Sequence, residues 1–294
     1  MIRYAVTQSK LEQAITSKKD DWLERAAEKT EEFRLKGHYE EASPIWSEVK
    51  PVYMWLQGKG KCAYCEREME SVELGLIEQD VEHFRPKGSV KSWKAPKQLT
   101  EAGIAFTPAP AKGKGYYLLP YHPFNYAAAC KPCNSTLKKD HFPIAGTYQL
   151  EAEDPADLAQ EKAYLIYPIG SLDADPETLI EFYGTSPRPV AKSGFKRKRA
   201  LVTIEFFKLD DPVKRKNLYR DRALVIISLF PLLQKTTQGT AAARAAARQT
   251  VEGFLKPELK HLNCANSFRR LFEQDAAEAA AVYDAAVELM ASIS

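Results

Sequence analysis

Residues 9–34 carry Leu11, Ile15, Trp22, Ala26 and Phe33 at helix-like steps among many charges, which predicts one or two amphipathic helices. A further helix is expected to start near Ser43-Pro44, with Ser as cap and Pro in the first turn. It would turn Ile45, Val49, Val52, Tyr53 and Leu56 inward and stop before Gly58-Lys59-Gly60. At that spacing Trp46, Tyr53 and Trp55 read as core or interdomain packing ahead of a base-stacking stripe. Residues 77–84 read as a strand that Pro86 stops. Residues 87–115, rich in Lys, Pro and Gly, show no period; they form a long connection, either a solvated basic loop or a flap over a phosphate backbone. An apolar run returns at 116–121, residues 125–129 lead into a second cysteine pair at 130–133, and a short helix is expected from Pro132. The order is strand, long loop, strand, helix. Residues 240–260 and 266–293 are Ala-rich helices expected to pack together.

No apolar run approaches the roughly 20 residues of a membrane-spanning helix; the best, 223–233, is short and ends at Pro231 and Gln234. With 294 residues, 45% hydrophobic and 28% charged, the chain has enough apolar surface for a substantial core. The expected class is α+β, mainly helical. Three regions form one continuous unit: a helical scaffold over 1–57, a stapled core over 58–145 and a helical region with a basic patch over 146–294. Net charge is only +3, but residues 192–222 hold eleven Lys or Arg against four Asp or Glu. Such a stripe is either a nucleic-acid footprint or a solvated face.

The five cysteines change the picture most. Cys62-Ala63-Tyr64-Cys65 and Cys130-Lys131-Pro132-Cys133 are two C-x-x-C pairs, and Cys264 is left over. The first residues, Met1 to Gln8, have no apolar signal-peptide core, so reduced thiols in a cytoplasmic setting are expected rather than disulfides. Four thiolates at this spacing suit a structural zinc ion held about 2.3 Å from each sulfur. Cys264 reads as a packed thiol. Between the pairs lies Val81-Glu82-His83-Phe84-Arg85-Pro86-Lys87, and Asn134 follows the fourth cysteine. Adjacent strand residues face opposite sides, so Glu82 and His83 converge on one site only if the backbone twists or bulges.

This order of motifs resembles the HNH (His-Me finger) endonucleases with a four-cysteine zinc site, and among them the PtuB-type branch of Septu and retron anti-phage defence. The likeness covers roughly residues 55–225, loosely in its downstream part (residues 165–168, 175–182 and 203–205). It implies a small ββα-metal core, with His83 activating water and Asn125 bracing the loop that holds it. It also implies that Glu82 and Asn134 bind one catalytic Mg²⁺ or Mn²⁺. Arg85, Lys87 and Lys138 are assigned to flanking phosphates. The segment His122-Pro123-Phe124-Asn125 departs from the Asp-Trp-Arg-Asn common in relatives; His122 either replaces one of those residues or packs. His141 either meets phosphate or lies at the surface. The implied substrate is nucleic acid, DNA ahead of RNA, and the implied partner is an ATPase. Two alternatives stand beside this: a ribonuclease, for example on tRNA, using the same site, and a non-catalytic zinc module that binds nucleic acid.

Overall fold

Thr7 accepts a hydrogen bond from the Lys10 amide and so opens the first helix, α1 (Gln8–Lys18); α2 (Trp22–Lys36) follows and closes on Gly37 at φ +68°. These elements belong to a computed structural model that describes residues 1–58, 60–75 and 78–293. The helix expected from Ser43-Pro44 begins later. A 3₁₀ turn at Trp46–Val49 runs into α3 (Lys50–Leu56), whose first turn takes Pro51, where a missing N–H costs nothing. Lys59 of the expected stop signal lies outside the described residues.

The predicted strand is β1 (Gln79–His83); Ile77, its expected first residue, also lies outside the described residues. The long connection contains one short helix, α4 (Lys97–Glu101). The strand β2 (Tyr126–Cys130) pairs antiparallel with β1, with Gln79 opposite Cys130 and His83 opposite Tyr126. A wide π-type helix, Pro132–Lys138, follows at once. Every residue of β2 is buried, and the small side chains of Ala127, Ala128 and Ala129 suit a strand covered on both faces. The Gln57 side chain clamps it: Oε1 accepts from Ala128 N at 2.7 Å, while Nε2 donates to the carbonyls of Ala128 and Lys61.

A second ribbon pairs β3 (Ile180–Tyr183) with β4 (Ser186–Pro189). It is followed by α5 (Gly194–Phe206), α6 (Lys216–Thr237), α7 (Ala241–Gly253), α8 (Leu262–Gln274) and α9 (Ala276–Ile293). The expected helix over 266–293 is two helices, because Asp275 leaves helical geometry and its Oδ1 accepts from the amides of Ala277 and Glu278. The long α6 packs against α7, α8 and α9, with Phe230 stacked on Tyr283 at 4.7 Å. One apolar core runs from Met1 through the strands to Ala286. The fold is therefore α+β, dominated by helices, with two small antiparallel ribbons. No described helix is long and apolar enough to cross a membrane.

Candidate functional site

Ala63 donates its amide to Ala128 O at 3.0 Å, which lays the first cysteine pair along β2, and β2 itself ends in the second pair. Cys62, Cys65, Cys130 and Cys133 are all buried, with their sulfurs within 4.8 Å of one another. A tetrahedron of thiolates about 2.3 Å from zinc has edges of about 3.8 Å, and the Cys65 and Cys130 sulfurs lie 3.9 Å apart. The donor set and its spacing fit zinc. Arg215, just before α6, donates through Nη2 to Cys133 Sγ at 3.4 Å, placing a cation against a cluster that carries excess negative charge when loaded. Cys264 is not part of this group. Its thiol donates to Gly184 O, and burial pushes it up to about 12.

His83 closes β1. Its Nε2 lies 3.1 Å from Pro120 O, a carbonyl that also accepts from the Tyr126 hydroxyl. A carbonyl only accepts, so Nε2 carries the proton and Nδ1 is left with its lone pair. Trp46 and Tyr126 pack edge-on to the imidazole, at 5.0 and 5.1 Å. Burial, with Lys87 and Lys138 nearby, holds the ring well below the ordinary histidine range, so it is neutral at pH 7. Asn125 is fully buried behind it. Its Oδ1 accepts from Arg85 N at 2.8 Å, and its Nδ2 donates to the carbonyls of Arg85 and Leu119. The segment leaving His83 is thus gripped through both backbone polar groups of Arg85.

The ladder is regular through His83, so Glu82 and His83 project from opposite faces of β1 and no bulge brings them together. Glu82 faces the helix Pro132–Lys138. Lys138 Nζ lies 3.0 Å from its Oε1 but off the line of a hydrogen bond, which leaves that buried oxygen with unfilled acceptor capacity. Burial raises the Glu82 carboxyl to about 7 against the opposing pull of Lys138 and Lys87. On the same face, two residues earlier, Asp80 gathers Asn134 Nδ2 at 3.1 Å, Ser135 Oγ at 2.9 Å and Lys131 Nζ at 3.2 Å. Asn134 thus meets Asp80, and its carbonyl oxygen is the atom left for a cation. Oxygen donors with unfilled capacity suit a hard divalent ion.

The cations assigned to flanking phosphates are placed differently. Arg85 turns inward and pairs with fully buried Glu161 at 3.0 Å. Lys138 is fully buried beside Glu82, from which it also donates to His83 O at 3.4 Å. Both make these internal contacts because each follows or faces β1 from the core side, Arg85 through its Nε alone. Lys87 rests 4.1 Å above the Trp46 ring. His122 packs, its Nδ1 accepting from Phe124 N, and His141 bonds Lys91 O. In the basic patch Arg199, Arg215 and Arg222 are likewise committed to Asp173, Cys133 and the carbonyls of Thr185 and Leu209. Lys216, Arg220 and Lys214, the last paired with Asp211 at 3.3 Å, line a groove of about 500 Å³ with Arg67, Pro132 and the carboxylates Glu68 and Asp221, against the zinc side of the strands.

Sequence reasoning missed Asp80, Gln57, Arg215 and Glu161. Only Asp80 left a local signal: in Asp80-Val81-Glu82 the two carboxylates stand two apart and share one strand face.

Comparison with known proteins finds a homologue, the Septu protein PtuB of Bacillus mycoides (strain KBAB4). It is 31% identical over 201 residues, which make up 68% of this chain and 59% of that protein. The match spans less than two thirds of the relative's length. No family model and no solved structure matches the chain.

Proposed function

We propose that this homologue of the Septu protein PtuB is a metal-dependent endonuclease of the HNH (His-Me finger) type, acting on DNA ahead of RNA as the nuclease of an anti-phage defence system beside a partner ATPase. The observation that carries the reading is the fixed tautomer of His83. With Nε2–H tied to Pro120 O, Nδ1 is the atom positioned to take a proton from an attacking water. The order β1, β2, helix, with a carboxylate beside the histidine and Asn134 directly after the fourth cysteine, supports the same assignment.

Glu82 and Asn134 would hold one Mg²⁺ or Mn²⁺, which when bound supplies positive charge to the phosphate and leaving oxygen. The chain's own residues do the rest. His83 accepts the water proton from one face of β1 while Glu82 and Asn134 work from the other, so the scissile phosphate sits across the strand edge. Asn125 keeps the His83 segment from shifting, and the thiolate cluster ties the Cys62–Cys65 turn, the end of β2 and the helix into one unit. Lys214, Lys216 and Arg220 offer a track for the polymer backbone.

A second reading, a non-catalytic zinc module, draws support from burial, since Glu82 and His83 are 2% and 8% exposed. Incubating the zinc-loaded protein with plasmid DNA, total RNA and tRNA, with Mg²⁺, Mn²⁺ or chelator, separates the readings. Cation-dependent scission of one polymer supports the nuclease and names its substrate. Binding without scission, with the partner ATPase present as well, supports the module.

A further inference from the structure

Behind the end of β1 lies a cavity of about 430 Å³ for which the cleavage reading has no use. Its walls include Phe84 and Arg85, Leu158, Tyr167, and Phe195 and Arg199 of α5. Both residues are largely buried, Arg85 at 7% and Arg199 at 9% exposure. Arg85 meets Glu161 through Nε, and among the described residues its two terminal nitrogens have no hydrogen-bond acceptor. Arg199 uses Nη1 and Nη2 on Asp173 and on Leu165 O, and its Nε, sealed from solvent, does not face the cavity. The Asp173 carboxylate in the same wall is neutralised by Arg199, so it does not repel an entering anion.

The rest of the wall is apolar and aromatic. Phe195 is 37% exposed in the first turn of α5 and presents a ring that a flat heterocycle can cover. An inorganic anion has no use for such a surface, whereas a phosphorylated base uses both halves. We propose that this cavity binds a nucleotide unit, its phosphate toward Arg85 and its base against Phe195 and Leu158. The unit comes either from a nucleic-acid strand or from the free nucleotide pool. In the first case the site rests on the nuclease reading, because Arg85 lies two residues beyond His83; in the second it is independent of it.

The test is calorimetric titration of the zinc-loaded protein of 294 residues without added divalent cation, so that binding is read without turnover and a failed cleavage assay is a separate result. The probes are AMP, CMP, adenosine, inorganic phosphate and a single-stranded deoxyhexanucleotide. Two variants accompany the wild type. Phe195→Ala removes the half-exposed ring, and Ala156→Trp fills the mouth from an exposed position; melting curves check that both fold. The expected result is that nucleotides bind at least about tenfold more tightly than adenosine or phosphate, and that each variant weakens them by about tenfold. Preference for the hexanucleotide identifies the strand as the source, and equal or tighter binding of AMP identifies the free nucleotide. The proposal is overturned if no phosphorylated nucleoside saturates the protein, if phosphate binds as tightly as AMP, or if neither variant changes the affinity.

Discussion

Lys138 holds its ammonium 3.0 Å from Oε1 of Glu82, and both side chains are sealed from solvent. A divalent cation held by Glu82 would draw on the same carboxylate as Lys138, so cation and ammonium would compete for it. Lys138→Met should therefore lose about 3–5 kcal/mol in metal-free buffer, the cost of leaving a buried charge without its partner. Mn²⁺ should restore more stability to the variant than to wild type. Thermal melting at pH 8.5, where Glu82 with its carboxyl near 7 is ionised in the wild type, measures the difference. A variant that Mn²⁺ stabilises less than wild type contradicts the competition.

The cysteine cluster predicts one zinc per chain and a large stability loss when it is removed. Cys62 and Cys65 sit on β2 through one backbone bond and the Gln57 clamp, so the metal is the main tie between the first pair and the strand. Cys130→Ser should lower both zinc content and the melting midpoint, as read by metal analysis and circular dichroism. Equal melting of zinc-free and zinc-loaded protein would remove the structural role. In the loaded protein Cys264 should resist iodoacetamide at pH 8, since its thiol is buried and raised to about 12.

Acid should destabilise the protein below about pH 6.5 through its buried histidines. His83, His122 and His261 are each held below the ordinary histidine value, by burial first. The unfolded chain binds these protons near pH 6.5 while the folded chain still refuses them, so stability is complete above that pH and falls as pH drops. His261 is the cleanest test. Its φ of +54° suits asparagine, and Asp221, at 3.7 Å, is too far to hydrogen-bond the ring against the opposing charge of Arg222. His261→Asn should fold and show a shallower loss of denaturation midpoint between pH 7 and 5. An unchanged pH slope would mean that His261 is protonated in the folded state.

Asn125 should tolerate no carboxylate. Asn125→Asp keeps the shape but turns the donor facing Arg85 O and Leu119 O into an acceptor, at a fully buried position. The expected loss is about 3 kcal/mol or more by chemical denaturation, larger than for Asn125→Ala. If alanine is the worse of the two, shape rather than hydrogen bonding fixes the Arg85 segment.

What the sequence made legible was what local spacing encodes. Two residues between cysteines set the reach of a shared metal, and the pattern around Glu82 and His83 placed both on a strand before a strand and helix. What it hid were partners chosen across the fold. Arg85 finds Glu161 76 positions away, Lys138 finds Glu82, and Arg215 finds Cys133; a charge in sequence gives no sign of whether its partner is a phosphate or a buried carboxylate. The helix boundaries at Lys50 and Asp275 were missed because one proline and one capping aspartate decided them, against a periodicity that ran on past both.

The most direct test of the account compares wild type with His83→Ala at matched zinc content, on the polymer that wild type cleaves in Mg²⁺. Matching zinc separates a lost base from a lost fold. Removing the proton acceptor should lower cleavage by about 10²–10⁴-fold with the melting curve and nucleic-acid binding kept. Equal cleavage by both proteins would show that Nδ1 of His83 takes no proton and would contradict the account at its centre.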